Sequence, residues 1–344
     1  MRAVVIPKHG GPEVLRVEER PDPVAGPGEV LVEVRAAGIN FADLMARSGM
    51  YPDAPKLPSV IGYEVAGDVR AVGEGVEKVA VGDRVAAGTR FGGYAELVAT
   101  RENDLLPLPD ALSYEQGAAI PVNYGTAYAG VVMMGGLREG DRLLIQAAAG
   151  GVGIAATQIA KLRGAEIFGT ASASKHDAIR AQGVDHAIDY RNQDFEAEVM
   201  RITNGDGIDI AFDAIGPSSF RKDYRLLRPG GRLICFGLAE AQSGEGRNIP
   251  GLLKGLASMT TATMPWWKSM AMMNENKGVF GLNMLGWWDK EGDLARVIEP
   301  LAADLESGRI QPVVADSFPF ERAGDAHRFI HERKNVGKVV LTPS

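Results

Sequence analysis

A chain of 344 residues is longer than one hydrophobic core normally serves, so two domains are expected. Its net charge of −7 comes without any basic run or basic–aromatic interleaving, so nucleic acid is not expected as a partner. A single cysteine, Cys235, rules out an intrachain disulfide and a cysteine-built zinc cage.

The N-terminal stretch "MRAVVIPKHGG" has one arginine and a short apolar run before Pro7, which is not a signal peptide. No apolar run reaches the roughly 18 residues of a membrane span. A soluble, cytoplasmic protein is the expectation. Up to about residue 100 the chain reads as short valine-rich strands ("RAVVI", "GEVLVEVRAAGI", "YEVAGDVRAVG", "GDRVAAG") cut by Gly, Pro and Asp. The stretch "PSVIGYEVAG" (58–67) sets Tyr63 and Glu64 among glycines and apolar residues. A carboxylate there needs a partner. Tyr63 either satisfies Glu64 or the backbone in a core pair, or belongs to a catalytic site. "SYEQGAAIPVNYGTAYAGVVM" reads as helix, broken or kinked at Pro121.

Near residue 140 the pattern changes. Apolar strands "DRLLIQ", "AEIFGTA", "HAIDY", "IDIAFDAIG" and "RLICFG" alternate with helices over "VGIAATQIAKLRG", "SKHDAIRAQG", "FEAEVMRITNG" and "FRKDYRLLRPGG". That alternation predicts βαβ units and a parallel sheet covered on both faces. "GVFGLNM" is a sixth strand, "DLARVIEPLAADLESG" a helix, and the tail reads strand–helix–strand, rejoining the first domain. The predicted fold is α/β: a β-rich domain over 1–123 and 288–344, and a doubly wound parallel-sheet domain over 124–287. His327 and His331, four apart on a helix, read as a solvated face rather than half a metal site.

The chemistry centres on "QAAAGGVGIAATQIAK". Ala148, Gly150 and Gly153 stand at the three positions of a G-x-G-x-x-G fingerprint, after a strand and opening a helix. Backbone N–H groups over Ala149, Gly150, Gly151, Val152 and Gly153 suit a pyrophosphate. An NAD site usually carries an acid at the end of the second strand. Here "FGTASASKHD" offers Ser172 and Lys175 instead, which suit a 2′-phosphate, with Thr170 as a further cofactor-binding candidate and Tyr190 in "IDYR" adding a hydroxyl or ring face. NADP(H) is the expected cofactor.

The chain resembles the zinc-independent, zeta-crystallin-like quinone oxidoreductases of the medium-chain dehydrogenase/reductase superfamily. The likeness rests on "GDRLLIQAAAGGVGIAATQIAK" (140–161), "AAGINFADLMARSGMY" (36–51, with Tyr51 closing it on a loop), "VNYGTAY" (122–128) and "KNVGKVVLTP" (334–343). "FGTASASKH", "DSFPFERAGDAH" and the long 240–288 segment look closest to the vesicle amine transport protein branch. The resemblance implies a GroES-like β domain, a Rossmann domain and a homodimer through the Rossmann sheet edges. It also implies that Asn40, Thr126, Asn335 and the strand-tip residues Gly216, Phe236, Gly237, Phe280 and Leu282 touch NADPH. Zinc-dependent relatives carry cysteine where Asn40 stands and histidine where Tyr63 stands, so no metal is expected.

Without a metal, hydrogen bonds alone stabilise charge on the acceptor oxygen. A conjugated acceptor spreads that charge itself. The expected activity is therefore NADPH-dependent reduction of an apolar quinone or α,β-unsaturated carbonyl compound, with Asn40, Tyr51 and Tyr63 as catalytic candidates and Asp43 as a local cap or a salt-bridge partner. Two other readings stay open: an enoyl-thioester reductase, and a non-catalytic NADPH-binding or membrane-associated trafficking protein. All four tryptophans and Met264, Met270, Met272, Met273 and Met284 crowd residues 264–288. That belt reads as core and dimer interface, as the lining of a wide cleft, or as a membrane-surface patch.

Overall fold

A computed structural model describes residues 1–241, 269–286 and 294–343. By compactness the chain divides into two units: one holds Met1–Gly125 and the C-terminal segment from Leu285, the other runs from Thr126 to Met284 apart from a few residues near 245. The tryptophans and Met264 lie outside the described residues.

In the first unit the strands are β1 (Arg2–Ile6), β2 (Arg16–Glu19), β3 (Glu29–Ile39), β4 (Ser59–Val60), β5 (Glu64–Val72), β6 (Arg84–Gly88), β7 (Leu97–Arg101) and β8 (Leu105–Pro107). Helix α1 (Phe41–Ser48) follows β3 directly and ends on Gly49 at φ 77°, a left-handed stop that glycine takes without penalty. The larger sheet runs β15–β16–β3–β5–β6–β8, where β15 (Val314–Pro319) and β16 (Lys338–Thr342) come from the C-terminus. β16 lies antiparallel to β3, with Val340 opposite Gly38 and Val339 opposite Ile39. The tail thus rejoins the first unit, and pairing to β3 buries Val339, Val340 and Leu341. The predicted long helix near 300 is three short turns, Ala295–Ile298, Glu299–Leu301 and Ala302–Glu306, because Pro300 lacks the donor to continue it.

The C-terminal helix Ala323–His331 corrects one expectation. His327 is fully buried, on the same face as Ala323 and Ala326, and is not a solvated residue. Its Nε2 lies 3.4 Å from the Tyr94 hydroxyl, and burial, then the Arg47 charge, push its pKa well below the ordinary value.

In the second unit, strands β9 (Arg142–Ile145), β10 (Glu166–Ala171), β11 (His186–Asp189), β12 (Ile208–Asp213), β13 (Leu227–Cys235) and β14 (Gly278–Gly281) form a six-stranded sheet. Its order is β11–β10–β9–β12–β13–β14, and every pairing is parallel. The order reverses direction between β9 and β12, the place where such sheets bind ligands at the carboxyl ends of their strands. Apolar strands such as Leu143, Leu144 and Ile145 are wholly buried, as covering both faces requires. Of the methionine belt, Met270 and Met273 are two-thirds exposed.

Candidate active site

The second unit brings most of the expected cofactor residues to one end of its sheet. After β9 the chain makes a tight turn into helix Gly151–Leu162, with Gly150 as the residue before its first turn. The turn's left-handed residue is Ala147, at φ 56°, one position before the fingerprint's first site. Gly153 is required by packing: a Cβ there would lie 2.6 Å from the Ala147 carbonyl oxygen and 2.7 Å from the Ala148 Cα. No side chain caps this helix, so its first N–H groups face outward from the turn for an anion.

Thr170, at the end of β10, does something other than reach a ligand. Its hydroxyl donates to Gln146 Oε1 at 2.7 Å and accepts from the Ala147 N–H at 3.2 Å, and it is 2% exposed. It braces the glycine turn. Gln146 in turn donates to Asp223 Oδ1 at 2.8 Å. Asp223 is wholly buried, and burial, then the neighbouring Asp213, push its pKa well above the carboxylate range. This buried network under the turn went unread in the sequence; a glutamine just before the glycine run was its only local sign.

Ser172 follows β10, with its hydroxyl 3.3 Å from that of Ser174, and Lys175 ends the next short turn. Tyr190 stands beyond β11, 39% exposed, with the Arg191 guanidinium 5.9 Å from its ring centre. Gly216 opens helix Pro217–Leu226 at φ 130°, after β12. Beyond β13, Phe236 stacks on Phe212 at 3.9 Å, and Gly237 lies so close to Ala214 that a Cβ would meet its carbonyl oxygen at 2.6 Å. Phe280 lies exposed within β14, and Leu282 is buried just past it. Thr126 is buried at the start of this unit. In the first unit, the Asn335 amide donates to the Gly337 carbonyl at 2.9 Å.

The first unit gathers Asn40, Tyr51 and Tyr63. Asn40 is the residue before α1; its N–H donates to Asp43 Oδ2 at 2.7 Å. Asp43 also accepts from the Gly62 N–H at 3.2 Å, so it caps α1 and ties it to the loop before β5. Burial pushes the Asp43 carboxyl up to about 7, against the opposing pull of the Asn40 N–H, Lys338 and Tyr94. Glu64 is fully buried, but Tyr63 is not its partner. Its Oε1 accepts from Lys338 Nζ and from Asn40 Nδ2 (3.0 Å), and its Oε2 accepts from the Val122 N–H at 2.7 Å. Nor does the Tyr63 hydroxyl bond the backbone. Its ring is 5% exposed, and among the described residues its hydroxyl has no close hydrogen-bond partner, with only a loose contact to the Tyr51 hydroxyl. The ring packs edge-on against Tyr51 (6.2 Å between centres, 79°) and tilted on Phe91 at 5.3 Å. Burial, then the Asp43 charge, push the Tyr63 pKa far up; burial pushes the half-buried Tyr51 up to about 12. Both therefore remain donors at neutral pH. Lys338 was not singled out in the sequence: it lies 274 residues from Glu64, with only its charge at the head of "KVVLT" as a signal.

The chain matches a curated relative at full length. It is 39% identical to the rat synaptic vesicle membrane protein VAT-1 homolog, over all of this chain and 84% of that protein. The chain belongs to the medium-chain dehydrogenase/reductase superfamily, on its VAT-1-like branch. This VAT-1-like chain matches the families described as "Alcohol dehydrogenase GroES-like domain", over residues 26–110, and "Zinc-binding dehydrogenase", over 182–341. It is similar to the crystal structure of the human VAT-1 homolog-like protein (34% identity, 99% of this chain and 98% of that one, TM-score 0.85). It is also similar to Escherichia coli quinone oxidoreductase complexed with NADPH (30% identity, 100% of each chain, TM-score 0.83).

The second family description raises zinc, and the donors here do not fit it. A catalytic zinc takes three protein ligands of the histidine, cysteine or carboxylate kind. Among the described residues no group of three such side chains comes together. Asn40 Oδ1 instead receives the Lys338 ammonium at 2.7 Å, both Glu64 oxygens are engaged, and Tyr63 stays a neutral phenol.

Proposed function

We propose that this protein is an NADPH-dependent reductase of quinones or α,β-unsaturated carbonyl compounds that works without a catalytic metal. The observation that carries the reading is the Tyr63 hydroxyl. It is buried, held in its protonated form and, among the described residues, without a close hydrogen-bond partner, the Tyr51 hydroxyl making only a loose contact; leaving such a group poorly bonded costs about 1–3 kcal/mol. An acceptor oxygen is a fitting partner for it. The second unit supports the cofactor assignment, through the uncapped helix start at Gly150 and the Ser172 and Lys175 side chains where an NAD site would carry an acid. NADPH, when bound, supplies the hydride.

The protein's own part is to position and to donate. Tyr63 donates a hydrogen bond as the acceptor oxygen takes on charge, and Tyr51 is a second donor beside it. The Tyr51, Tyr63 and Phe91 rings present planar apolar surface suited to a conjugated ring. Neither phenol has to ionise, and the proton that completes the product comes from solvent. A homodimer through the edges of the six-stranded sheet belongs to the same proposal.

The test is NADPH oxidation with 1,2-naphthoquinone, 9,10-phenanthrenequinone, simple enones and enoyl thioesters. Turnover with quinones or enones is expected. Preference for thioesters would move the reading to an enoyl-thioester reductase. No turnover with any of them, while NADPH still binds, would sink it. The names of the VAT-1 homologs favour a second reading, a membrane-associated protein. No helix among the described residues is long and apolar enough to cross a membrane, so this version requires surface binding. A liposome-flotation assay with no bound protein removes it.

A further inference from the structure

We infer that Lys338 and Glu64 are positioning residues that lock the Asn40 carboxamide into a single orientation; the catalytic consequence rests on the reductase reading above. The placement follows from strand register. β16, β3 and β5 are neighbours in one sheet. Val339 pairs with Ile39, and Val65 pairs with Ala37. One step along, Lys338 comes opposite Asn40 and Glu64 opposite Gly38. Residues 38 and 40 point to the same face of the sheet, because side chains alternate along a strand. Two strands that flank β3 therefore deliver a cation and an anion to one carboxamide.

Gly38 makes the room. A Cβ at that position would lie 2.6 Å from Lys338 Cε, 2.7 Å from Glu64 Cγ and 2.3 Å from the Ala118 carbonyl oxygen. The two charged side chains pass over a residue that has none, and they are 2% and 0% exposed.

The bonds leave the amide no freedom. Lys338 Nζ donates to Asn40 Oδ1 at 2.7 Å, and Asn40 Nδ2 donates to Glu64 Oε1 at 3.0 Å. Glu64 Oε1 also accepts from Lys338 Nζ, which closes the triangle. Turning the amide over would set its oxygen against the carboxylate and its NH₂ against the ammonium, so both contacts would become repulsive. The Asn40 backbone is held as well, through its N–H to Asp43. One Nδ2 hydrogen remains, aimed in a fixed direction. A buried ion pair is weak evidence for stability, since apolar residues of similar size serve a core as well. Orientation of Asn40 is what this pair adds.

The experiment uses Glu64→Gln/Lys338→Met, which leaves no unpaired buried charge, Asn40→Ala, and the triple variant. Side-chain amide NMR of Asn40 in the cofactor-free protein is the readout that needs no turnover. In the wild type the Asn40 Nδ2 hydrogens should exchange at least about tenfold more slowly than those of an exposed asparagine, as one retained hydrogen bond implies. The double variant should lose that protection while its melting temperature stays within a few degrees. With the best acceptor, its kcat should fall about tenfold with KM for NADPH nearly unchanged, and the same change made on Asn40→Ala should cause no further loss. Equal losses with and without Asn40 would overturn the inference. So would fast exchange in the wild type, a result that stands even if the double variant does not fold. If no acceptor turns over, the reductase reading fails and the exchange measurement still decides the positioning role.

Discussion

Replacing Tyr63 by phenylalanine should make the protein more stable and less active. The substitution removes one oxygen and keeps the ring packed on Tyr51 and Phe91. In the free protein that oxygen is buried, without a close partner among the described residues. Its desolvation costs about 1–3 kcal/mol, so its removal should stabilise the fold by about 1 kcal/mol after the lost packing is counted. That corresponds to a rise in melting temperature of about 2–4 °C. In turnover the same hydroxyl meets developing charge, where a hydrogen bond is worth about 1.5–3 kcal/mol. Its loss should lower kcat/KM for a quinone by about 10- to 150-fold. Because the Tyr63 pKa is raised by burial, the wild-type rate should show no ionisation of this phenol up to its ordinary value near 10. Thermal unfolding and NADPH oxidation on the same preparation check both halves. A variant that melts at or below the wild-type temperature and turns over undiminished would refute the assignment of Tyr63 to the acceptor.

Lys175→Ala should raise Kd for NADPH about tenfold, the worth of one charge-assisted hydrogen bond, and leave Kd for NADH within about twofold; equal weakening of both, by fluorescence titration, would remove Lys175 from the 2′-phosphate. Gly153→Ala should abolish dinucleotide binding or unfold the second unit, since its Cβ meets backbone atoms of Ala147 and Ala148 that no rotamer can move; normal binding by the same titration would contradict this packing. Asp223 has a raised pKa in the fold, so its contribution is full below the ordinary carboxylate value and is lost as pH rises toward the folded one. Asp223→Asn keeps an acceptor for Gln146 and loses the ionisation, so its urea midpoint should exceed that of the wild type by more at pH 9 than at pH 6. Asp43, raised to about 7, adds a separate loss between about pH 4 and 7 that both proteins share.

Much of the architecture was legible because it is local. Glycine turns, strand-length apolar runs and helices with left-handed stops repeat along 140–235, and each signal lies within a few residues of its effect. The cofactor turn was readable for the same reason. Thr170 shows the limit of that reading: its position at a strand end is right for a ligand contact, but its hydroxyl is taken by Gln146 and Ala147. The pairing of Tyr63 with Glu64 failed similarly. Tyr63 stands in the bend just before β5 and turns its ring to Tyr51 and Phe91, while Glu64, the first residue of β5, turns to Lys338 and Asn40.

The sequence by itself determined that two regions with different strand patterns are present and that one carries a dinucleotide turn; its resemblance to a family added the expectation about Asn40 and Tyr63. The tertiary structure decided who partners whom. Glu64 is answered by Lys338 from the far end of the chain, Asp223 supports a turn 77 residues away through Gln146, and the Tyr63 hydroxyl finds no close partner among the described residues. These outcomes depend on which strands lie side by side and which faces they share. Burial makes a polar group's partner matter, and sheet pairing, through contacts distant in sequence, determines which partner it finds.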